Sequence, residues 1–259
     1  MWLRAELNHR HMDFQSTALP TELQSQIFDV HQKINKKVLL LYIIYINKVY
    51  KIMIMKVVIA THNKDKLKEI KKGLSDLNVE ILDLSSFPDI GAIVEDGETL
   101  KENALIKAKC VHEKTGIPAI ADDTGLEVDA LGGKPGVYTA RFAGENCSYL
   151  DNVNKMLKVM KNIKNSDRSA IFKTVMAFVD DKTELFSIGE VKGMIASEKK
   201  GLGGFGYDSI FYVVNEGKTF AEMSIEKKNI ISHRGKAIKN FMPKLESYFK
   251  TDKTTKESA

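Results

Sequence analysis

Residues 120–125 read Ile120-Ala121-Asp122-Asp123-Thr124-Gly125, and the fold turns on this run. It follows Pro118 and a short apolar segment, which predicts a buried strand ending in a turn. Two adjacent acids are then delivered at the strand's C-terminal edge, where open α/β sheets place their ligands. Neighbouring carboxylates repel and are costly to bury, so a fold that keeps them has a cation or a proton to share. A turn in which Asp and Gly merely close the chain fits the same letters equally well.

Upstream, Lys56-Val57-Val58-Ile59-Ala60 is β-branched and short, the signature of a buried strand. A polar loop, Thr61-His62-Asn63-Lys64-Asp65-Lys66, separates it from Leu67, Ile70 and Leu74, whose spacing marks one face of a helix ending near Gly73 or Ser75. Val79 to Leu82 predicts a second strand. Thr99 and Glu102 have capping-box spacing, and Leu100, Ala104, Ala108 and Val111 continue that helix to Thr115-Gly116. Downstream come a glycine-punctuated segment from Gly132 to Tyr138 and a helix around Tyr149 to Met160. Ala170–Val179 and Leu185–Val191 read as two strands hinged at Asp180-Asp181-Lys182-Thr183. A glycine-rich loop, Gly201 to Asp208, leads into a strand over Ser209–Val214. Ile238, Phe241 and Leu245 mark a last helix that Pro243 should kink or restart, with a frayed tail over 250–259.

The 259 residues, 43% hydrophobic and 28% charged, suit a soluble globular protein of one large or two ordinary domains. Cys110 and Cys147 form no metal-ligand spacing and no disulfide framework, which fits a reducing cytoplasm. Of the net charge of +5, residues 1–54 carry +3, seven Lys and Arg against four Asp and Glu. The remainder is too nearly neutral to argue for a nucleic-acid surface. The nine apolar residues Val38 to Ile46 fall short of the roughly 20 that a membrane span needs, and they lie too far in for a signal peptide. Residues 1–54 read as an extension with little stable structure. An interfacial anchor and a start at Met53 or Met55 are both open there.

Three groups of residues could do chemistry. Thr61-x-Asn63-x-x-Lys66 lies between a strand and a helix, where amides and dipole favour a polyphosphate; simple capping by Thr61 or Asn63 is the alternative. Glu95, Asp122 and Asp123 are hard oxygen ligands of the kind Mg²⁺ takes alongside substrate phosphates, although an acid such as Glu95 before a helix also suits the dipole. Phe205-Gly206-Tyr207-Asp208 and Lys228-x-x-x-Ser232-His233-Arg234 offer an aromatic face, an acceptor and donors to a base; core packing and an N-cap explain the same residues. Two phosphate motifs fail. Gly217-Lys218-Thr219 lacks a glycine at Tyr212, and Gly201 to Gly206 precedes a strand where the dinucleotide fingerprint opens a helix.

Taken together and in order, the motifs are more specific. They are Thr61-His62-Asn63 with Lys66, Glu95-Asp96-Gly97-Glu98-Thr99 before Glu102-Asn103-Ala104, Ala121 to Leu126, Gly132 to Gly144, Gly203 to Asp208, and Ile231 to Gly235. From Met55 to Phe249 the chain resembles the pyrophosphatases of inosine, xanthosine and other deaminated purine triphosphates. The resemblance implies an α/β fold with an elongated central mixed sheet flanked by helices, and two lobes with a substrate cleft between them. It implies a cytoplasmic, Mg²⁺-dependent homodimer that hydrolyses ITP, XTP and dITP to the monophosphate and pyrophosphate, with neither nucleic acid nor membrane as partner. Carried over, Thr61, His62, Asn63, Lys64, Asp65 and Lys66 bind the triphosphate. Glu95 and Asp123 hold the metal, Asp123 is the catalytic acceptor, and Thr124 contacts substrate where serine is usual. Phe205, Gly206, Tyr207, Asp208, Lys228, His233 and Arg234 bind the nucleotide, chiefly its base. Two rivals are a related enzyme for modified pyrimidine triphosphates and a non-catalytic nucleotide- or nucleic-acid-binding protein.

Overall fold

A computed structural model of the chain describes residues 55–257, so the readings made on residues 1–54 lie outside the described residues. Strand β1 (Lys56–Ile59) runs into helix α1 (Lys64–Gly73), and β2 (Glu80–Asp83) returns parallel to β1. Helix α2 (Leu100–Thr115) begins at the expected capping box, with both reciprocal bonds between Thr99 and Glu102 present, and ends on left-handed Gly116. Next come β3 (Ala119–Val128), the short β4 (Pro135–Gly136), α3 (Tyr149–Val159), and the hairpin of β5 (Ser169–Val179) and β6 (Glu184–Ile195). The hairpin turns as expected: Asp180 Oδ1 accepts the amides of Lys182 and Thr183 at 2.9 and 2.6 Å. β7 (Phe211–Val213), β8 (Lys218–Thr219), α4 (Ile225–Ile231) and α5 (His233–Glu257) complete the chain. The strands form one eight-stranded mixed sheet, ordered β2-β1-β3-β5-β6-β7-β8 with β4 beside β3.

β3 departs from the expected strand-then-turn. It pairs parallel with β1 only through Ala119 and Ile120, then continues for its full length antiparallel to β5. Pairing of Asp122 with Met176 and of Asp123 with Val175 holds the two acids extended, so no turn forms at Gly125. The acids still stand at the C-terminal end of the parallel pair, because β1 stops at Ile59. Side chains alternate along a strand, so the two aspartates face opposite sides of the sheet. Ile120 and Met176 pack with Ile70 and Leu74 of α1 and with Ala237 and Phe241 of α5. Ala119, Ala121 and Val175 pack on the other face against Leu100, Ala104, Ala108 and Val111 of α2. A third cluster, centred on Phe172, Phe211 and Phe220, joins the far half of the sheet to Val153 and Met156 of α3.

Helix α5 runs through Pro243 as one helix, without a restart. Lys236, Asn240 and Lys244 donate to the carbonyls of Glu190, Ile188 and Phe186 on β6, at 2.9, 2.9 and 2.6 Å. Four helical residues rise about 6 Å and two strand residues about 6.7 Å, so the two repeats stay in step. These bonds cover a strand edge left open where β7 does not reach. They also anchor the helix on both sides of Pro243. Together with burial of Ala237, Phe241, Leu245 and Phe249, they offset the roughly 3 kcal/mol that an internal proline costs. The helical backbone continues to Glu257, past Lys250, where the frayed tail was expected. The strand expected over 209–214 is confined to Phe211–Val213. No helix among the described residues is long and apolar enough to cross a membrane.

Candidate active site

A cavity of about 340 Å³ opens where β1 stops and β3 continues. At one end, Asn63 caps α1: its Oδ1 accepts the amides of Asp65 and Lys66 at 3.0 and 3.1 Å. Capping therefore uses the carbonyl oxygen and leaves the side-chain amide as a donor. Thr61 Oγ1 accepts the Asn63 amide at 3.2 Å, fixing the loop. Thr61, His62, Asn63 and Lys66 all line the cavity. Lys64 and Asp65 do not line it, contrary to expectation. They begin the helix, where each residue turns away from the last, and both are exposed.

On the cavity floor, Lys107 Nζ lies 2.8 Å from Glu95 Oε2 and 3.0 Å from Asp123 Oδ1. Burial pushes the Asp123 carboxyl above the ordinary aspartate value against the pull of Lys107 and Lys66, and Glu95 adds to the rise. Burial also opposes the charge on Lys107, but Asp123, Asp122 and Glu95 outweigh it and raise the ammonium above the usual lysine value. Asp122, 1% exposed, lies behind the wall, with Oδ2 3.2 Å from Lys66 Nζ and 3.0 Å from Arg234 Nη2. Burial opposes its ionisation, yet Lys66, Arg234 and Lys107 hold it well below the usual carboxylate range. Thr124 Oγ1 donates to Asp122 Oδ2 at 3.1 Å and accepts from Arg234 Nη2 at 3.0 Å. The threonine hydroxyl thus keeps a polar role.

At the other end, Phe205, Gly206, Tyr207, Asp208, His233 and Arg234 line the wall, and Lys228 lies behind it. Asp208 Oδ2 takes Lys228 Nζ at 2.5 Å and the Phe205 amide at 2.8 Å, which anchors the glycine-rich loop. Burial nevertheless raises the Asp208 carboxyl above its ordinary value. Tyr207 is buried and donates to the Thr139 carbonyl at 2.9 Å, a structural rather than a base-facing bond. Arg234 spends four N–H groups on Glu69, Asp122 and Thr124, so one of its five remains for a ligand. His233 stacks on Phe172 at 4.4 Å between centroids. Burial, with Arg234 and Lys228 nearby, holds it well below the usual histidine value, so the ring is neutral. Its buried Nδ1 has no hydrogen-bond partner among the described residues.

Sequence reasoning missed Lys107, Glu69 and Tyr149. Lys107 follows Leu100 by seven residues and Ala104 by three, so it sits on the apolar face of α2, and that misplaced lysine was the available signal. Glu69 bridges Lys228 Nζ at 2.9 Å and Arg234 Nη1 at 2.5 Å from the helical position three after Lys66. Tyr149 left no signal.

The donor set fits a hard divalent cation. Asp123 Oδ2 is a buried carboxylate oxygen without a hydrogen-bond partner among the described residues, a costly state that a cation relieves. Among the described residues no group of three or more His, Cys, Asp or Glu is gathered to hold a metal by itself. That suits an ion held by one or two carboxylates and completed by substrate oxygens.

The Ham1 family model matches residues 57–244. A dITP/XTP pyrophosphatase of Thermoanaerobacter sp. strain X514 is 47% identical over 193 residues, covering 73% of this chain and 98% of that one. The dITP/XTP pyrophosphatase of Thermus thermophilus is 48% identical over 187 residues, covering 71% and 89%. Among solved structures, a HAM1 protein from Coxiella burnetii superposes with a TM-score of 0.69 at 39% identity, covering 75% of this chain and all of that one. Sequence and fold agree, and the chain belongs to the Ham1 family.

Proposed function

We propose that this chain is a nucleoside triphosphate pyrophosphatase that hydrolyses dITP, ITP and XTP to the monophosphate and pyrophosphate with Mg²⁺. The observation that carries the reading is the Lys107 ammonium held between Glu95 and Asp123, with Asp123 Oδ2 free, midway along a cavity with a polar end and an aromatic end. The names of the 47–48% identical relatives support the substrate class.

The chain's own residues divide the work. Asn63 and Lys66 hold the triphosphate at the positive end of the helix. Asp123 orients the attacking water and accepts its proton as attack proceeds. Lys107 offsets charge that builds on the phosphorus oxygens, as a preorganised cation does. Glu95 and Asp123 would hold Mg²⁺, which supplies Lewis-acid neutralisation of the phosphate oxygens. At the base end, neutral His233 and the remaining Arg234 N–H offer donors to the 6-carbonyl of hypoxanthine or xanthine. Adenine, with an amine there, leaves them unpaired, and sites of this kind discriminate by about 10⁴ to 10⁵. The resemblance also supports a cytoplasmic homodimer.

Turnover of ITP, XTP, dITP, ATP and GTP, with and without Mg²⁺ and with products separated by chromatography, tests the proposal. Monophosphate and pyrophosphate from the deaminated purines, only with metal, is the expected result. Diphosphate and orthophosphate would place the attack elsewhere. Salt-sensitive binding without turnover would favour a binding protein. Asp123→Asn should abolish turnover while keeping ITP binding within a few-fold; an active variant would remove Asp123 from its role.

A further inference from the structure

Tyr149 opens α3, far in sequence from every site motif, yet it lines the cavity with 43% of its surface exposed. Its hydroxyl receives the Asn63 side-chain amide at 2.7 Å. Its ring lies 5.8 Å from that of Phe205, between centroids, at a tilt of 41°. One side chain therefore touches both ends of the site, the phosphate loop and the aromatic base wall. Its own position is set by Ser148, which caps α3 through a reciprocal box with Asp151.

The Asn63 amide group explains why this contact matters. Its Oδ1 is held by two helix amides, so the side-chain NH2 is the part of Asn63 left to face a ligand. The bond to Tyr149 directs one amide hydrogen and thereby aims the other. Phe205 is held from other directions by Lys228 Nζ at 4.5 Å and the Arg234 guanidinium at 5.7 Å from its centroid. Tyr149 adds the aromatic contact to that ring.

We propose that Tyr149 is a positioning residue that straps the triphosphate loop to the base wall, so that base and phosphates are recognised together. The inference rests on the function proposed above, since it presumes a ligand with an aromatic base at one end and a polyphosphate at the other.

Calorimetry on the full chain with Mg²⁺ separates the two arms, with inorganic tripolyphosphate and inosine monophosphate as probes. Tyr149→Phe keeps the ring and loses the hydroxyl; it should weaken tripolyphosphate about threefold to tenfold and leave the monophosphate within about twofold. Tyr149→Leu should also weaken the monophosphate about threefold or more, through loss of the aromatic pair. In an Asn63→Ser background, where serine still caps the helix but lacks the amide donor, Tyr149→Phe should have no further effect. Unchanged tripolyphosphate binding in Tyr149→Phe would overturn the proposal, as would the same loss with and without Asn63. A role in folding alone would lower Tm and weaken both probes equally, which also counts against the strap. Wild-type protein that fails to turn over ITP would remove the proposed function itself. An active wild type with an indifferent Tyr149→Phe would remove only the strap.

Discussion

Lys107 resolves a repulsion: Glu95 and Asp123 both reach toward one point, and a single ammonium lies 2.8 and 3.0 Å from them. Replacing it with methionine keeps most of the apolar stem but removes the ammonium from between the two carboxylates. Lys107→Met should lower kcat for ITP by about 10² to 10³, the cost of losing one preorganised charge from such a site. Steady-state kinetics beside a circular dichroism melt would check this; a kcat within fivefold of wild type would reduce Lys107 to a structural tie. The residues that could be read from the letters were those whose chemistry is conspicuous, such as paired acids at a sheet edge. Lys107 showed only as a lysine out of place on the apolar face of α2, and Glu69 not at all, because the ion pairs that enclose both exist only in the fold. Lys64 and Asp65 begin α1 outside the cavity lining, because a helix turns each successive residue away by roughly 100°.

Helix α5 delivers His233 and Arg234 from its first turn, and that turn is pressed onto β6 at Gly189. A Cβ built on Gly189 would overlap the His233 carbonyl oxygen and the Ala237 amide nitrogen, both backbone atoms that cannot swing aside. Gly189→Ala must therefore displace the start of α5 or bend β6. Overpacking of this kind costs about 1 to 3 kcal/mol, and here the strain falls on the base end of the site. The expected outcome is a lower urea midpoint together with a raised KM for ITP, while tripolyphosphate affinity holds. Equal loss of both ligands would mean that the whole sheet had shifted. The sequence placed α5 correctly by Ile238, Phe241 and Leu245 but overstated Pro243, because the side-chain bonds to β6 that flank the proline are long-range. β3 was misjudged for a related reason. Asp-Asp-Thr-Gly has the composition of a turn, and only the ladder with β5 keeps it extended.

β3 contributes to all three core clusters, with Ile120 in one, Ala119 and Ala121 in another, and Leu126 and Val128 in the third. The site therefore sits on the strand that the whole described body shares, and substrate binding reports on the integrity of that body. The family match begins at residue 57, and a relative matched over 98% of its own length covers 73% of this chain. Each residue assigned to the site is Thr61 or later, and the first element, β1, begins at Lys56. These facts argue that a chain beginning at Met55 contains everything the fold and the chemistry require. It should fold cooperatively, with a single urea transition, and turn over ITP with kcat and KM within about twofold of the 259-residue chain. Parallel unfolding curves and kinetics of the two proteins would decide the matter. A tenfold rise in KM would show that residues 1–54 contribute to substrate binding.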